Sequence, residues 1–369
     1  MYPIKIFTNY EIGKISSFKF VTINTPILYS LFLQSWFEKL QTFISPKIMP
    51  NQITWIGYLS MIISLISTVY FDASLQLAPR ILPLVNFCFL LVYFCADFLD
   101  GIHARKTDQC SQLGALLDHG VDSIVVLAIL LTACSSLRLG INQELGFFGF
   151  ILFSGFYFVA LFIKYVGYMK LNLISGQSEG LILIMIIHII AFFKPNFGIT
   201  LKSQLLQKST QKLRQSLMNI IGLIFTSVSV FEILYFTSSS VLSARIIEIV
   251  TSILHLHVLL SFLYFLKYST VRSQKKDFYS FIFTFSQCFT VCYIEETVSF
   301  LTCSSVDHNI FIACYLLLAS FVISFIYVKS KIYLYSIFAL STLHFLLRIG
   351  SILVDLSRKT NCKLFTSSF

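Results

Sequence analysis

The sequence predicts an all-α polytopic membrane protein of about ten transmembrane helices, with an N-terminal interfacial amphipathic helix. Composition is the first observation behind this. Hydrophobic residues make up 56% of the 369-residue chain and charged residues 12%, whereas soluble domains carry about a quarter charged. Mean hydropathy is +0.81. The second observation is that apolar runs of roughly 20 residues, long enough to cross a hydrocarbon layer, recur along the chain. The third is a set of aspartates at helical spacings where two of those runs meet a polar connector.

Residues 1–49 form a polar, mildly basic leader. Within it 26–40, with Trp36, Phe37 and nearby Phe43 beside Lys39 and Lys47, reads as an amphipathic helix at the membrane surface. A solvated leader is the alternative. Pro50 suits a helix start because it has no amide hydrogen to leave unpaired. Spans are expected over 53–71, 81–99, 114–133, 146–169 and 181–193, the last short for a crossing. After a basic link at 194–215 come spans over 216–236, 244–267, 278–301, 310–328 and 332–354. The chain thus divides into the leader (1–49), a core that holds the aspartates (50–200) and C-terminal transmembrane helices (201–369).

The leader lysines and Arg105 and Lys106 of the connector place that side in the cytosol by the positive-inside rule. With ten spans the basic links at 194–215 and 267–276 fall on the opposite side, so the span count after Gly180 stays open. The nine cysteines lie mostly in apolar runs without a CxxC pair and read as membrane-buried thiols.

Asp97 and Asp100 stand at i and i+3, and Asp118 and Asp122 at i and i+4, so each pair shares a helix face. All four fall within about two turns of the connector, at one water-accessible end. An ionised Asp left unpaired at depth costs roughly 2.5 to 3.5 kcal/mol, which divalent cations and oxygen ligands offset. Oxygen ligands suit magnesium, manganese or calcium, and two such ions about 3.5 to 4 Å apart clamp a phosphoryl group. Gly101 and Ala104 leave little bulk between the aspartates, so a nucleotide diphosphate can approach the backbone, and Arg105 is placed to pair with a phosphate. His119 and Asp122 are candidate bases for an incoming hydroxyl, since imidazole accepts a proton near neutrality. A histidine bonded between helices is the plainer reading of His119.

These residues carry a resemblance. Asp97-x-x-Asp100-Gly101-x-x-Ala104-Arg105, eight residues, then Gly114-x-x-x-Asp118-x-x-x-Asp122 is similar to the signature of the CDP-alcohol phosphotransferase family and matches its eight fixed positions. Three further stretches resemble the choline and ethanolamine phosphotransferase branch: Pro50-Asn51-Gln52-Ile53-Thr54, Asp118-His119-Gly120-Val121-Asp122-Ser123 and Ser175-Gly176-Gln177-Ser178-Glu179-Gly180. The resemblance implies two divalent ions, Mg2+ or Mn2+, held by Asp97, Asp100, Asp118 and Asp122. It implies a CDP site shaped by Asn51, Gly101, Ala104, Arg105 and Gly114, with Asp122 or His119 deprotonating the lipid hydroxyl. The implied reaction is attack of diacylglycerol on the phosphorus of CDP-choline or CDP-ethanolamine, releasing CMP and forming phosphatidylcholine or phosphatidylethanolamine. A homodimer in the endoplasmic reticulum or Golgi membrane, its active site facing the cytosol, follows from the same resemblance, with no nucleic-acid partner.

Two positions depart from that pattern. Ala115 stands where branch members often carry Glu, so no Glu and His dyad is available at these positions. Ile102 and His103 replace a polar pair, commonly Lys-Gln. Altered headgroup or pH preference is expected rather than lost activity. Glu179, opening the fifth span on the site's side, is a candidate partner for a headgroup amine or simply a helix cap.

His188, His255, His257 and His344 read as packing or hydrogen-bonding residues, and Glu295 and Glu296 as part of a loop rather than an ion cluster. Another alcohol acceptor, inositol or glycerol phosphate, is the runner-up within the enzyme class. A divalent-cation or solute transporter is the reading from a different class, but it would spread polar residues through several spans. Here they gather at one mouth.

Overall fold

The computed structural model describes residues 5–17, 22–24, 32–141, 143–166, 169–171, 177–200, 249–256, 275–302, 307–324 and 331–360. In chain order α1 spans Asn9–Ser17, β1 Thr22–Asn24, α2 Gln34–Gln41, α3 Pro50–Phe71, α4 Leu82–Lys106, α5 Gln112–Ser136, α6 Gln143–Val166, β2 Met169–Leu171 and α7 Gln177–Phe193. Then follow α8 (Lys275–Thr302), α9 (His308–Ile323) and α10 (Lys331–Thr360). The fold is helical, and β1 and β2 add one short parallel ladder with Thr22 opposite Met169. Among the described residues four helices, α3, α4, α5 and α10, are long and apolar enough to cross a membrane. The expected span at 216–236 and most of that at 244–267 lie outside the described residues, of which 249–256 are helical.

Helix α3 shows why these sequences make membrane helices. It begins on Pro50, and the Gln52 side chain accepts the Met49 N–H at 3.1 Å. Ile56, Leu59, Ile63, Ile66 and Tyr70 are exposed every three or four residues, an apolar stripe suited to lipid. The opposite face is small and polar. A Cβ on Gly57 would stand 2.8 Å from Ala96 Cβ, so glycine is what lets α3 and α4 touch. Further along, Ser64 donates to Asn86 Oδ1 at 2.9 Å and Asn86 Nδ2 to Thr68 Oγ1 at 3.1 Å, satisfying buried polar groups between the helices.

Helix α5 is the centre of the bundle: α3, α4, α6, α7, α8 and α10 all pack on it. At the end remote from the connector, buried Asp72 gathers the loops. Its Oδ1 accepts Ser74 Oγ and the N–H groups of Gln76 and Leu77 at 2.9 to 3.1 Å, and its Oδ2 accepts Ser135 Oγ at 2.7 Å. Ser136 Oγ lies 2.7 Å from His188 Nδ1 at the same end, which fits the expected bonding role of that histidine.

Helix α4 continues past the expected end at 99 as far as Lys106 because its last turns are still packed. His103 is fully buried. Its Nε2–H donates to the Ile48 carbonyl at 2.8 Å, and its Nδ1 lies 3.3 Å from Gln41 Nε2, the donor of that pair. The residue that replaces a polar pair therefore ties α4 to α2 and the loop before α3. Of the leader helix expected over 26–40, residues 32–41 are described. Phe37 is buried, stacked on Phe98 at 5.0 Å, while Trp36 points outward.

Glu295 and Glu296 correct the expectation of a loop. Both lie within α8 and are buried in ion pairs, Glu295 with Arg348 of α10 at 2.5 Å and Glu296 with Lys164 of α6 at 2.7 Å. Partners so distant in sequence leave no local sign.

Candidate active site

The polar connector 107–111 turns α4 back into α5, and Ser111 Oγ caps the new helix by accepting Gly114 N–H at 3.0 Å. This turn brings the two aspartate pairs together. Asp97, Asp100 and Asp122 all lie within electrostatic reach of Asp118. Ligand atoms of Asp118, His119 and Asp122 fall within 4.8 Å of one another.

Neighbouring helices fix individual oxygens. Thr54 of α3 donates to Asp100 Oδ2 at 2.5 Å, and Tyr93 of α4 donates to Asp122 Oδ1 at 2.6 Å. Asp118 differs. Its Oδ1 is buried without a hydrogen-bond partner among the described residues, amid like charges. A buried carboxylate oxygen in that state is costly, and a hard divalent cation is the partner that would remove the cost. Donor set and geometry therefore fit a divalent metal centre.

Around the acids the arrangement suits a phosphate-bearing ligand. The guanidinium of Arg105 lies over Gly101, its Nη1 3.4 Å from where a Cβ would be. Ala104 is half-buried one position before it. At Gly114 a Cβ would meet Asn51 Oδ1 at 3.1 Å, so the bare glycine admits the buried Asn51 amide to the first turn of α5. Asn51 and Gly114, far apart in sequence, are thus neighbours. Glu179 heads α7 and accepts Ser178 Oγ at 2.7 Å, a local bond that does not itself join it to the aspartates.

Three residues near the acids have no role in the sequence reading, although Thr54 lies in the quoted stretch 50–54. Thr54 stands one turn after Asn51, and Tyr93 one turn before Asp97, so helical spacing could have drawn attention to both. Tyr293 of α8, buried and within electrostatic reach of Asp118 and Asp122, offers no such signal. Its neighbour Ile294 brings Cδ1 to 3.2 Å from the Cβ position of Gly120, which seats α8 against the back of the site.

The family described as CDP-alcohol phosphatidyltransferase matches residues 47–260, more than half of the chain. A CDP-diacylglycerol–serine O-phosphatidyltransferase of Encephalitozoon cuniculi is 35% identical over 186 residues, covering 49% of this chain and 47% of that protein. Cholinephosphotransferase 1 of Saccharomyces cerevisiae is 27% identical over 177 residues, covering 48% and 45%. Cholinephosphotransferase 1 of Mus musculus is 33% identical over 117 residues, covering 31% and 29%. The chain spans less than half the length of each of these relatives.

Proposed function

Because the chain belongs to the CDP-alcohol phosphatidyltransferase family, we propose that it transfers phosphocholine or phosphoethanolamine from CDP-choline or CDP-ethanolamine to diacylglycerol. The observation that carries this reading is the orphaned Asp118 oxygen among the other acids, at the end of the bundle that carries the polar connector. Asp97, Asp100, Asp118 and Asp122 would hold two divalent ions, Mg2+ or Mn2+. When bound, such ions neutralise charge on the phosphoryl oxygens.

The chain's own residues do the rest. Thr54 and Tyr93 hold one oxygen each of Asp100 and Asp122 in place. Arg105, over Gly101, pairs with the diphosphate, while Asn51 and Gly114 shape the nucleotide side. His119 accepts the proton of the attacking hydroxyl as the new O–P bond forms and the bond to CMP breaks. Asp122 would serve in that role if His119 only packs. Glu179 is assigned to the headgroup side. In this reading 50–200 is the catalytic unit and 201–369 a supporting set of helices. The protein works as a homodimer in the endoplasmic reticulum or Golgi membrane, its site open to the cytosol.

A second reading is favoured by the similarity to the serine enzyme. There a serine hydroxyl would attack CDP-diacylglycerol at the same acids. One assay separates the two. Full-length protein in vesicles with Mn2+ or Mg2+ is given labelled CDP-choline or CDP-ethanolamine with diacylglycerol, and in parallel CDP-diacylglycerol with L-serine. Release of CMP in the first arm is expected. Turnover in the second arm alone would replace the amino-alcohol reading, and turnover with inositol or glycerol phosphate alone would reject both.

A further inference from the structure

A second charged group lies behind the acids. Lys164 Nζ is 2.7 Å from Glu296 Oε2, with the two side chains 3% and 0% exposed. Tyr157 donates its hydroxyl to Glu296 Oε1 at 3.2 Å. Tyr157 belongs to an aromatic cluster: its ring lies 6.5 Å from Tyr293 and 5.9 Å from Phe289, and Phe156 lies 4.8 Å from Tyr293. Tyr293 precedes Glu296 by three residues on α8, so the two share a face, and Tyr293, like Tyr93, lies within electrostatic reach of Asp118 and Asp122. Tyr157 and Tyr293 thus link Glu296 to the part of α8 that meets the acids.

Burying an ion pair seldom stabilises a fold relative to apolar side chains of the same volume, so packing alone does not account for this one. Inside a membrane bundle, ionisable side chains mark the path or seat of a substrate. The chemistry here is specific. A carboxylate held by the hydroxyl of a tyrosine from an aromatic cluster suits a cationic amine, which aromatic rings also attract. An ammonium already occupies it, that of Lys164. The other pair on α8, Glu295 with Arg348, differs because it faces α10 and its partner is a guanidinium, a more rigid group than a lysine on its flexible stem.

We propose that Glu296 receives the ammonium group of the alcohol being joined to phosphate, and that Lys164 holds this place until the substrate's cation displaces it. The proposal rests on the reading of an amine-bearing headgroup given above. It adds a headgroup seat built from α6 and α8, outside the motif that carries the acids.

The test uses full-length protein in lipid vesicles, varying CDP-ethanolamine at saturating diacylglycerol and then the reverse. Glu296→Gln is expected to raise the KM for CDP-ethanolamine by about tenfold or more, the loss of a hydrogen bond to a charged group, and to change that for diacylglycerol by less than about twofold. Glu296→Asp recovers most of the loss. Lys164→Met lowers the KM for CDP-ethanolamine. The double variant Glu296→Gln with Lys164→Met keeps the raised KM, whereas a purely structural pair would regain the wild-type value once both charges are gone. Recovery in the double variant, or a raised KM in Lys164→Met, overturns the proposal. Should Glu296→Gln fail to fold, the Lys164→Met and Glu296→Asp arms decide. If the wild type uses L-serine with CDP-diacylglycerol instead, the amino-alcohol reading has failed and the same variants are scored on the KM for L-serine. If only an uncharged alcohol is consumed, both readings fall.

Discussion

The hydroxyl of Tyr93 donates to Asp122 Oδ1 at 2.6 Å, joining α4 to α5 at the acid cluster. Thr54 does the same for Asp100 from α3. Each of these acids is thus held by a neutral hydroxyl from another helix, a partner that orients an oxygen without adding charge to the cluster.

Tyr93→Phe removes one hydrogen bond to a carboxylate, worth roughly 1.5 to 3 kcal/mol, while keeping the ring. Turnover is expected to fall about tenfold to a hundredfold, and the Mn2+ concentration for half-maximal rate to rise. Initial rates across a Mn2+ titration check this. An unchanged metal curve would show that Tyr93 does not position Asp122.

Asp118→Asn removes the charge from the orphaned oxygen's side chain. Turnover is expected to drop on the order of a hundredfold or more, with helix content and membrane insertion intact. The decisive readout is thermal. Saturating Mn2+ should raise the Tm of the wild type by mass action, and the variant should lose most of that shift.

Gly57→Ala places a Cβ 2.8 Å from Ala96 Cβ, an overlap that the α3–α4 contact relieves only by separating. A loss of about 1 to 3 kcal/mol is expected, read as a lower Tm in detergent. Adding Ala96→Gly should return part of it. No recovery would mean that the helices give elsewhere.

Glu11 makes the N-terminal segment pH-sensitive. Burial alone would push its carboxyl up, but the Thr8 N–H at 2.7 Å and the Lys5 ammonium at 3.0 Å hold it below its ordinary value of 4.5. A depressed carboxyl contributes its stability in full above the unfolded value and loses it as pH falls through the folded one. Residues 5–17, whose Phe7 N–H reaches Asp355 of α10 at 2.7 Å, should therefore lose protection against hydrogen exchange, measured relative to the intrinsic rate at each pH, as pH falls through that folded value. Glu11→Gln should show part of that lost protection already at neutral pH.

The acid cluster is legible in the sequence because its members are neighbours along two helices joined by a short polar turn. Helical spacing alone brings Asp97 near Asp100 and Asp118 near Asp122. Pro50 marks the start of α3 for an equally local reason. What stays hidden depends on which helices pack together. Nothing near Glu296 announces Lys164, 132 positions away. Asn51 lies in the stretch 50–54 and Gly114 in the aspartate motif, and their contact appears only when α3 lies on α5. The expected span ends at 99, at the first pair of aspartates, whereas α4 runs on to Lys106 because His103 finds partners on α2 and before α3.

Asp72 gives the bundle its mechanical character. Four hydrogen bonds on one buried carboxylate rivet the far ends of α3 and α5 and the loop between α3 and α4. A set of rods so pinned keeps that tip in register, while the aspartate-bearing tips are held by cross-links of their own, Thr54 to Asp100 and Tyr93 to Asp122.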